Sequence, residues 1–399
     1  MVEYQYVSSR AQFLTFLEKN QNAKWFAFDT EFISEGRREA ELCLLQVATE
    51  RGNYILDPLI LPSLTPFWEL LCRDDVVSIV HAGRSELEFC RRAINRFPSK
   101  VFDVQLAAAF VGLGYPLSYK TLAEETIKVR LTKSETLTDW KRRPLLRSQL
   151  DYAINDVCHL KKIADRLTKS LNDAGRLGWF EEETQNYCVE LEKSLSEESW
   201  KKISGVKHCN AIELALVRAL WRWRVEKSLA KNAPPQRVMR DPVILNLAKN
   251  KTADPERIAV TRGINAPAHS PYIKELSSVV QSALNLPTDE MPIPEDLHFP
   301  AYELASQLVG VALGQYCRRR SLSTRLFMTS LDVREAIAAH EGTLPQGVVS
   351  KLGVGWRAEF LGDFLQNVLS GRYAMKLVGN FDDDPLELVD LTREIPGVE

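Results

Sequence analysis

The chain predicts an α/β domain followed by two all-α helical domains, on three observations. Over the first ~165 residues, apolar runs of strand length alternate with amphipathic helical patterns. Strand signals fade after residue 170, and from 210 onward the apolar spacing is helical. A segment rich in proline and acid, LPTDEMPIPEDLHFP at 286–300, divides the helical part into two blocks of ~80 residues. A length of 399 residues agrees with two or three domains.

Taken in order, SRAQFLTFLEKN predicts a helix ahead of the first strand, WFAFDTEF at 25–32. ELCLLQVAT (41–49) and NYILDPL (53–59) follow across the glycine-containing links GRREA and ERG, which predicts an antiparallel meander. VVSIVH (76–81) is a fourth strand, RSELEFCRRAINRF a helix after it, and VFDVQL (101–106) a fifth strand. SQLDYAINDVCHLKKIADRL predicts one helix near residue 150. Beyond it, NAIELALVRALWRWRVEKSLAKN runs to a stop at Pro234 and Pro235, with further helices in DPVILNLAKN, DPERIAVTRGI and SPYIKELSSVVQSALN. The second block runs from YELASQLVGVALGQYCRRRSL through WRAEFLGDFLQNVLSG, and its similar layout suggests a duplicated module. The acidic end, DDDPLELVDLTREIPGVE, is expected to fray.

With 45% hydrophobic and 26% charged residues, the composition is that of an ordinary soluble globular protein. No apolar run approaches the ~20 residues that span a bilayer, and MVEYQYVSSRAQF has neither a basic nor an apolar leader region, so a cytoplasmic location is expected. The seven cysteines are scattered, without CxxC or Cys/His spacing for zinc, and read as reduced thiols. Charge is uneven: residues 209–286 carry net +6, and 287–399 carry net −7. That asymmetry points to one surface for a polyanion and an acidic end that avoids it.

FAFDTEF places Asp29 and Glu31 two positions apart in an apolar strand, so both carboxylates face one point. Burying an unpaired carboxylate costs several kcal/mol or forces it to take a proton. A hard divalent cation is the readiest shared partner, and a solvated strand end is the alternative. Near 150, Tyr152 and Asp156 are four apart and share a helix face, where a water-facing polar stripe is again the alternative.

The ordered set D-x-E on a leading strand and Y-x-x-x-D ~120 residues later resembles the DEDD exonucleases of the tyrosine subgroup. FAFDTEF, LCLLQVAT, FDVQLAAAFVGLG and above all SETLTDWKRRPLLRSQLDYAINDV narrow the resemblance to the ribonuclease D family. Residues 209–286 resemble an HRDC domain, and GWRAEFLGDFLQNVLSG (355–371) resembles that family's C-terminal helical module. The resemblance covers nearly the whole chain. It implies a ribonuclease H-like α/β 3′-5′ exonuclease domain at 1–168, a helical linker at 169–206 and an HRDC domain at 207–288. A linker at 289–299, a second HRDC-like domain at 300–380 and an acidic tail at 381–399 complete the layout.

The resemblance also implies an activity: hydrolysis of 3′-terminal nucleotides from RNA such as tRNA precursors, releasing nucleoside 5′-monophosphates, with two divalent ions, Mg²⁺ or Mn²⁺. Asp29 would bridge both ions, Glu31 would bind one, and Asp156 would complete the set. Tyr152, whose ordinary pKa is ~10, would aim the attacking water rather than act as base. In HAGRSELEFC the family's third motif normally has Asp where this chain has Glu86, one methylene longer and still able to reach a metal. Glu88, two residues on, lies on a different face of the helix.

Two basic stretches suit a phosphate backbone. Residues 120–147 hold eight Lys/Arg against four acids, with Lys133, Lys141 and Arg143 nearest the predicted site. In the first helical block, Arg222, Arg224 and Lys227, then Arg237 and Arg240, are the candidate RNA contacts; a solvated helix face is the plainer reading of any one of them. Trp140, Trp221, Trp223, Trp356 and Arg357 read as packing residues. A monomer is expected. An RNA-binding protein weakened in hydrolysis through Glu86, and a DNA 3′-5′ exonuclease, stay open, because carboxylates do not read a 2′-hydroxyl.

Overall fold

The computed structural model describes residues 2–35, 39–131, 138–196, 199–264, 269–292, 302–345, 347–378 and 386–392. The chain forms two compact units. Met1–Glu31, Leu42–Val189 and His298–Glu399 make up one, and Phe32–Glu41 with Glu190–Leu297 the other.

The first unit contains a six-stranded sheet in the order β1-β4-β3-β2-β5-β6. Its strands are β1 (Gln5–Val7), β2 (Trp25–Ile33), β3 (Glu41–Thr49), β4 (Gly52–Leu56), β5 (Val77–Val80) and β6 (Val101–Asp103). β3 and β4 are antiparallel, with Leu45 opposite Leu56 and Thr49 opposite Gly52, while β1–β4, β2–β5 and β5–β6 are parallel. β2 and β3 read as nearly solid apolar runs because both faces of the sheet are covered. Phe26, Ala27, Phe28, Leu44, Leu45 and Val47 are fully buried, and Phe67 sits edge-on to both Phe26 and Phe28 at 5.9 and 6.0 Å.

The helices of this region are α1 (Arg10–Asn20), α2 (Thr65–Leu71), α3 (Arg84–Ile94), α4 (Val104–Phe110), α5 (Tyr119–Ile127), α6 (Arg147–Cys158), α7 (Leu160–Asp173) and α8 (Leu177–Ser196). Three expectations need correcting. β1 is a three-residue strand, too short for alternation to show. The strand expected over 101–106 stops at Asp103, whose carboxylate accepts the amides of Gln105 at 2.9 Å and Leu106 at 3.4 Å and starts α4. The single helix expected near 150 is two, α6 and α7, meeting at His159.

In the second unit, α9 (Ala211–Lys231) opens with a capping box: Asn210 accepts the Glu213 amide and Glu213 the Asn210 amide, each at 3.1 Å. It packs with α10 (Pro235–Val238), α11 (Asp241–Asn250), α12 (Pro255–Ala259) and α13 (Ile273–Leu284) around Leu216, Leu220, Ile244, Ile258, Leu276 and Val280. Trp223 is buried in this core, with Trp221 packed against it.

The last stretch adds α14 (Glu303–Arg319), α15 (Thr324–Phe327), α16 (Ser330–His340), α17 (Gly355–Leu361) and α18 (Phe364–Leu369). It also forms a hairpin, β7 (Tyr373–Leu377) against β8 (Leu386–Asp390), so strand structure does recur after 170, and part of the expected tail is ordered. The sequence LELVD alternates at the strand period, and Arg372 pairs with Asp390 at 2.9 Å. Residues 293–301, 379–385 and 393–399 of the expected linker and tail lie outside the described residues.

Trp356 and Arg357 are structural, as expected. The Trp356 ring lies 4.8 Å from Phe110 and 5.8 Å from Phe327, and its indole N–H donates to Glu183 at 2.7 Å. Arg357 donates to both Glu183 oxygens at 2.7 and 2.9 Å and to the carbonyls of Leu326 and Phe327.

Candidate active site

Because β2 and β5 run parallel, with Trp25 opposite Val77 and Ala27 opposite Ile79, the C-terminal end of β5 lies beside the middle of β2. Just past that point β2 carries Asp29 and Glu31, while β5 runs into the turn His81-Ala82-Gly83, which starts α3. Ala82 takes a φ of 54°, and a Cβ on Gly83 would stand 2.3 Å from a methyl of Val80, so glycine is required there. Asp103 ties the turn down by accepting the amides of Ala82 and Gly83, both at 3.0 Å. The turn therefore delivers Glu86, buried, from the first turn of α3.

α6 is fastened at its start, where Gln149 accepts the Leu146 amide at 2.8 Å and donates to Thr138 at 2.9 Å and to the Asp139 carbonyl at 3.3 Å. It projects Tyr152 and Asp156 one turn apart. Trp140 is buried, with its ring 6.1 Å from that of Tyr152, which is the packing role expected of it. Tyr119 donates to the Asn155 carbonyl at 3.0 Å and steadies the same turn.

Asp29, Glu31 and Asp156 each present a carboxylate oxygen within 4.8 Å of the other two, and all three are half-buried. Tyr152 hydrogen-bonds to Asp156. Glu86 was expected to join this set as a fourth ligand. It is not within 4.8 Å of all three, but its charge acts on Asp29 and Glu31, and its Oε1 accepts the Thr30 hydroxyl at 2.5 Å.

Burial dominates the titration of the site, and neighbouring charges add to it. Burial, then the charges of Glu86, Asp156 and Glu31, push the Asp29 carboxyl well above its ordinary range. Burial, with Asp156 and Glu86, raises Glu31 to about 8; burial raises Glu86 to about 7 and Asp156 to about 6. Burial and the neighbouring carboxylates raise the Tyr152 phenol, so at neutral pH it is a hydrogen-bond donor and not a base. Acids that would rather hold protons than share a site as anions constitute a binding site for hard cations.

The candidate RNA contacts divide. Lys133 lies outside the described residues, and Lys141, Arg222, Arg237 and Arg240 are exposed. Arg143 is committed elsewhere: it pairs with fully buried Asp57 through two bonds of 2.6 and 2.8 Å and donates to the carbonyls of Cys43 and Trp140. Arg224 is buried and donates to Asp241 at 2.5 Å and to the Met239 carbonyl at 3.0 Å. Both arginines hold the fold, which corrects the expectation that they meet RNA. Lys227 pairs with Glu275 at 2.7 Å.

Thr30, Asp103 and Tyr119 went unnoticed as site-shaping residues. Thr30 sits inside the D-x-E motif, which is the one signal that could have drawn attention to it; nothing local marks Asp103 or Tyr119.

A family model described as 3′-5′ exonuclease matches residues 4–172, and one for the HRDC domain matches 213–280. A ribonuclease D of Sphingobium indicum is 31% identical over 375 residues, covering 91% of this chain and 93% of the relative. One of Zymomonas mobilis is 29% identical over 379 residues, covering 93% and 95%. The crystal structure of Escherichia coli RNase D, described as an exoribonuclease involved in structured RNA processing, shares the fold with a TM-score of 0.81 at 24% identity. It covers 92% of this chain and 99% of its own.

Proposed function

Because the chain belongs to the ribonuclease D family and is a 3′-to-5′ exoribonuclease, we propose that it trims tRNA precursors from their 3′ ends and releases nucleoside 5′-monophosphates. The observation that carries this reading is the convergence of Asp29, Glu31 and Asp156 within 4.8 Å. An all-carboxylate donor set of this kind fits hard divalent ions, Mg²⁺ or Mn²⁺. Two such ions, held by Asp29, Glu31 and Asp156 with Glu86 as a fourth acid, would supply an activated water and charge for the leaving 3′-oxygen. Tyr152, protonated and bonded to Asp156, would aim that water. Thr30 keeps Glu86 from turning away.

Exposed Lys141, Arg222, Arg237 and Arg240, with Lys133, are the positions we assign to the RNA backbone. In this reading 1–168 cuts, 207–288 and 300–380 grip the RNA, and 169–206 and 289–299 connect them. The enzyme acts as a monomer in the cytoplasm. No helix among the described residues is long and apolar enough to cross a membrane.

Incubating the full chain with a 3′-extended tRNA and a matching single-stranded DNA, with Mg²⁺, Mn²⁺ or EDTA, tests the reading. The expected result is a metal-dependent ladder of one-nucleotide steps on the RNA, abolished in Asp29→Asn while RNA binding survives. A ladder on DNA alone, or none at all, overturns it. Glutamate at 86, where the family's motif normally has aspartate, carries a second reading, a weakened nuclease; a large gain in rate in Glu86→Asp would support it.

A further inference from the structure

Two thiols that the catalytic chemistry does not use lie next to α3. Cys72 follows the end of α2 and Cys90 lies within α3, with their sulfurs 4.0 Å apart. Both also point at the backbone that follows α3: Cys72 donates to the Phe97 carbonyl at 3.4 Å and Cys90 to that of Arg96 at 3.5 Å. Both side chains are thus fixed towards each other. A disulfide requires the sulfurs to approach to about 2 Å, so oxidation must draw them together from 4.0 Å. Cys90 is four residues after Glu86 and lies on the same face of α3, one turn on. The segment between the cysteines contains β5, the turn at Gly83 and Glu86 itself.

We propose that Cys72 and Cys90 are a modification site, forming a reversible disulfide when a small-molecule disulfide oxidises them. Closure draws α3 towards the end of α2 and displaces Glu86, slowing the nuclease. The second statement rests on the role given to Glu86 above; the first does not.

The exchange balances in two steps. The Cys72 thiolate attacks one sulfur of the oxidant and expels a small thiolate, which takes up the proton that Cys72 gave. The Cys90 thiolate then attacks the Cys72 sulfur and expels the second small thiolate. Two protein thiols and one small disulfide become one protein disulfide and two small thiols, with two electrons and two protons passing to the oxidant. Cys72 reacts first because it retains 8% exposure against 0% for Cys90. The hydrogen bond with Cys90 and the charge of Arg96 also favour its thiolate, whereas the same bond and burial push the Cys90 thiol up.

The full-length protein treated with oxidised glutathione, digested without reduction and mapped by mass spectrometry, tests this. The expected product is two hydrogen atoms lighter than the reduced protein, has lost two of its seven thiols, and yields a peptide pair joining Cys72 to Cys90. The trimming rate on a 3′-extended RNA should fall about tenfold and return with dithiothreitol. Cys72→Ser should keep its rate under oxidant and give no linked pair. A map showing only glutathione adducts, for instance at Cys158 or Cys188, overturns the disulfide. A linked pair with unchanged rate, or loss of rate that persists in Cys72→Ser, overturns the coupling to α3. Should the protein trim no RNA, the peptide map still decides the disulfide, and should Cys72→Ser misfold, the map of the native chain and its reversal by dithiothreitol decide it.

Discussion

Thr30 holds Glu86 by a single hydroxyl, and valine in its place keeps the branched shape and removes that bond. Thr30→Val should lower kcat about tenfold, because a group misplaced by ~1 Å costs at least that much, and should cost about 1–3 kcal/mol of stability; Thr30→Ser should keep both. Steady-state kinetics beside urea unfolding would show it. The crowded acids make a second prediction. Unfolded carboxylates titrate near ~4, whereas in the metal-free fold Asp156, Glu86 and Glu31 titrate at about 6, 7 and 8. Their folded values are raised, so the stability they contribute is complete below ~4 and is lost as pH rises through 6 to 8. The metal-free Tm should fall over that range, and the rise in Tm on adding Mg²⁺ or Mn²⁺ should be larger at pH 8 than at pH 6. A metal shift independent of pH in a thermal melt would refute this. Asp29, Glu31, Tyr152 and Asp156 were legible because i,i+2 in a strand and i,i+4 in a helix are geometry that sequence states outright. Glu86 was legible by position and not by contact, since its partner Thr30 is 56 residues away.

At the scale of elements, the segment between Trp140 and α6 behaves as a clasp. Arg143 spans from it to Asp57 just beyond β4, so Arg143→Ala leaves a buried carboxylate without its positive partner, with only the Tyr6 hydroxyl and the Leu59 amide on it, and should cost about 3–5 kcal/mol in urea unfolding. Arg237→Ala and Arg240→Ala change exposed charges, and should each leave Tm nearly unchanged while reducing the salt slope of tRNA binding by about one. Equal losses of stability at all three positions would overturn this division. The run DWKRRPLLRSQL was recognisable from its residue types, yet the sign of Arg143's role was not. A half-buried arginine and a phosphate-binding arginine look alike until Asp57 appears beside one of them. The elements themselves followed from periodicity where they were long. They failed where a cap decided the matter, as at Asp103, or where a strand was three residues, as in β1.

Over the whole molecule, the C-terminal helices are fastened to α8 by Glu183, which receives both Trp356 and Arg357. Burial is the largest single cause and would raise the Glu183 carboxyl, but the hydrogen bonds from Arg357 and Trp356 and the charges of Arg357 and Lys351 together outweigh it and the net shift is downward. A lowered folded pKa contributes stability that is present above the ordinary carboxylate range and is lost as pH falls through the folded value. Glu183→Gln should therefore cost about 3–5 kcal/mol at pH 7 and flatten the acid limb of the stability curve, measured by denaturant unfolding at stepped pH. A mutant as acid-sensitive as the parent would refute it. That Trp356 and Arg357 are structural was legible; that their anchor lies 174 residues earlier was not, since nothing in GWRAEFLG names a partner.

Chain order gives the Glu183 fastening a consequence during synthesis. Every carboxylate of the candidate site is made within the first 156 of 399 residues, whereas Trp356 and Arg357 emerge 200 residues later. A ribosome therefore completes the candidate site's acids long before it supplies the indole and guanidinium that lock α8 in place.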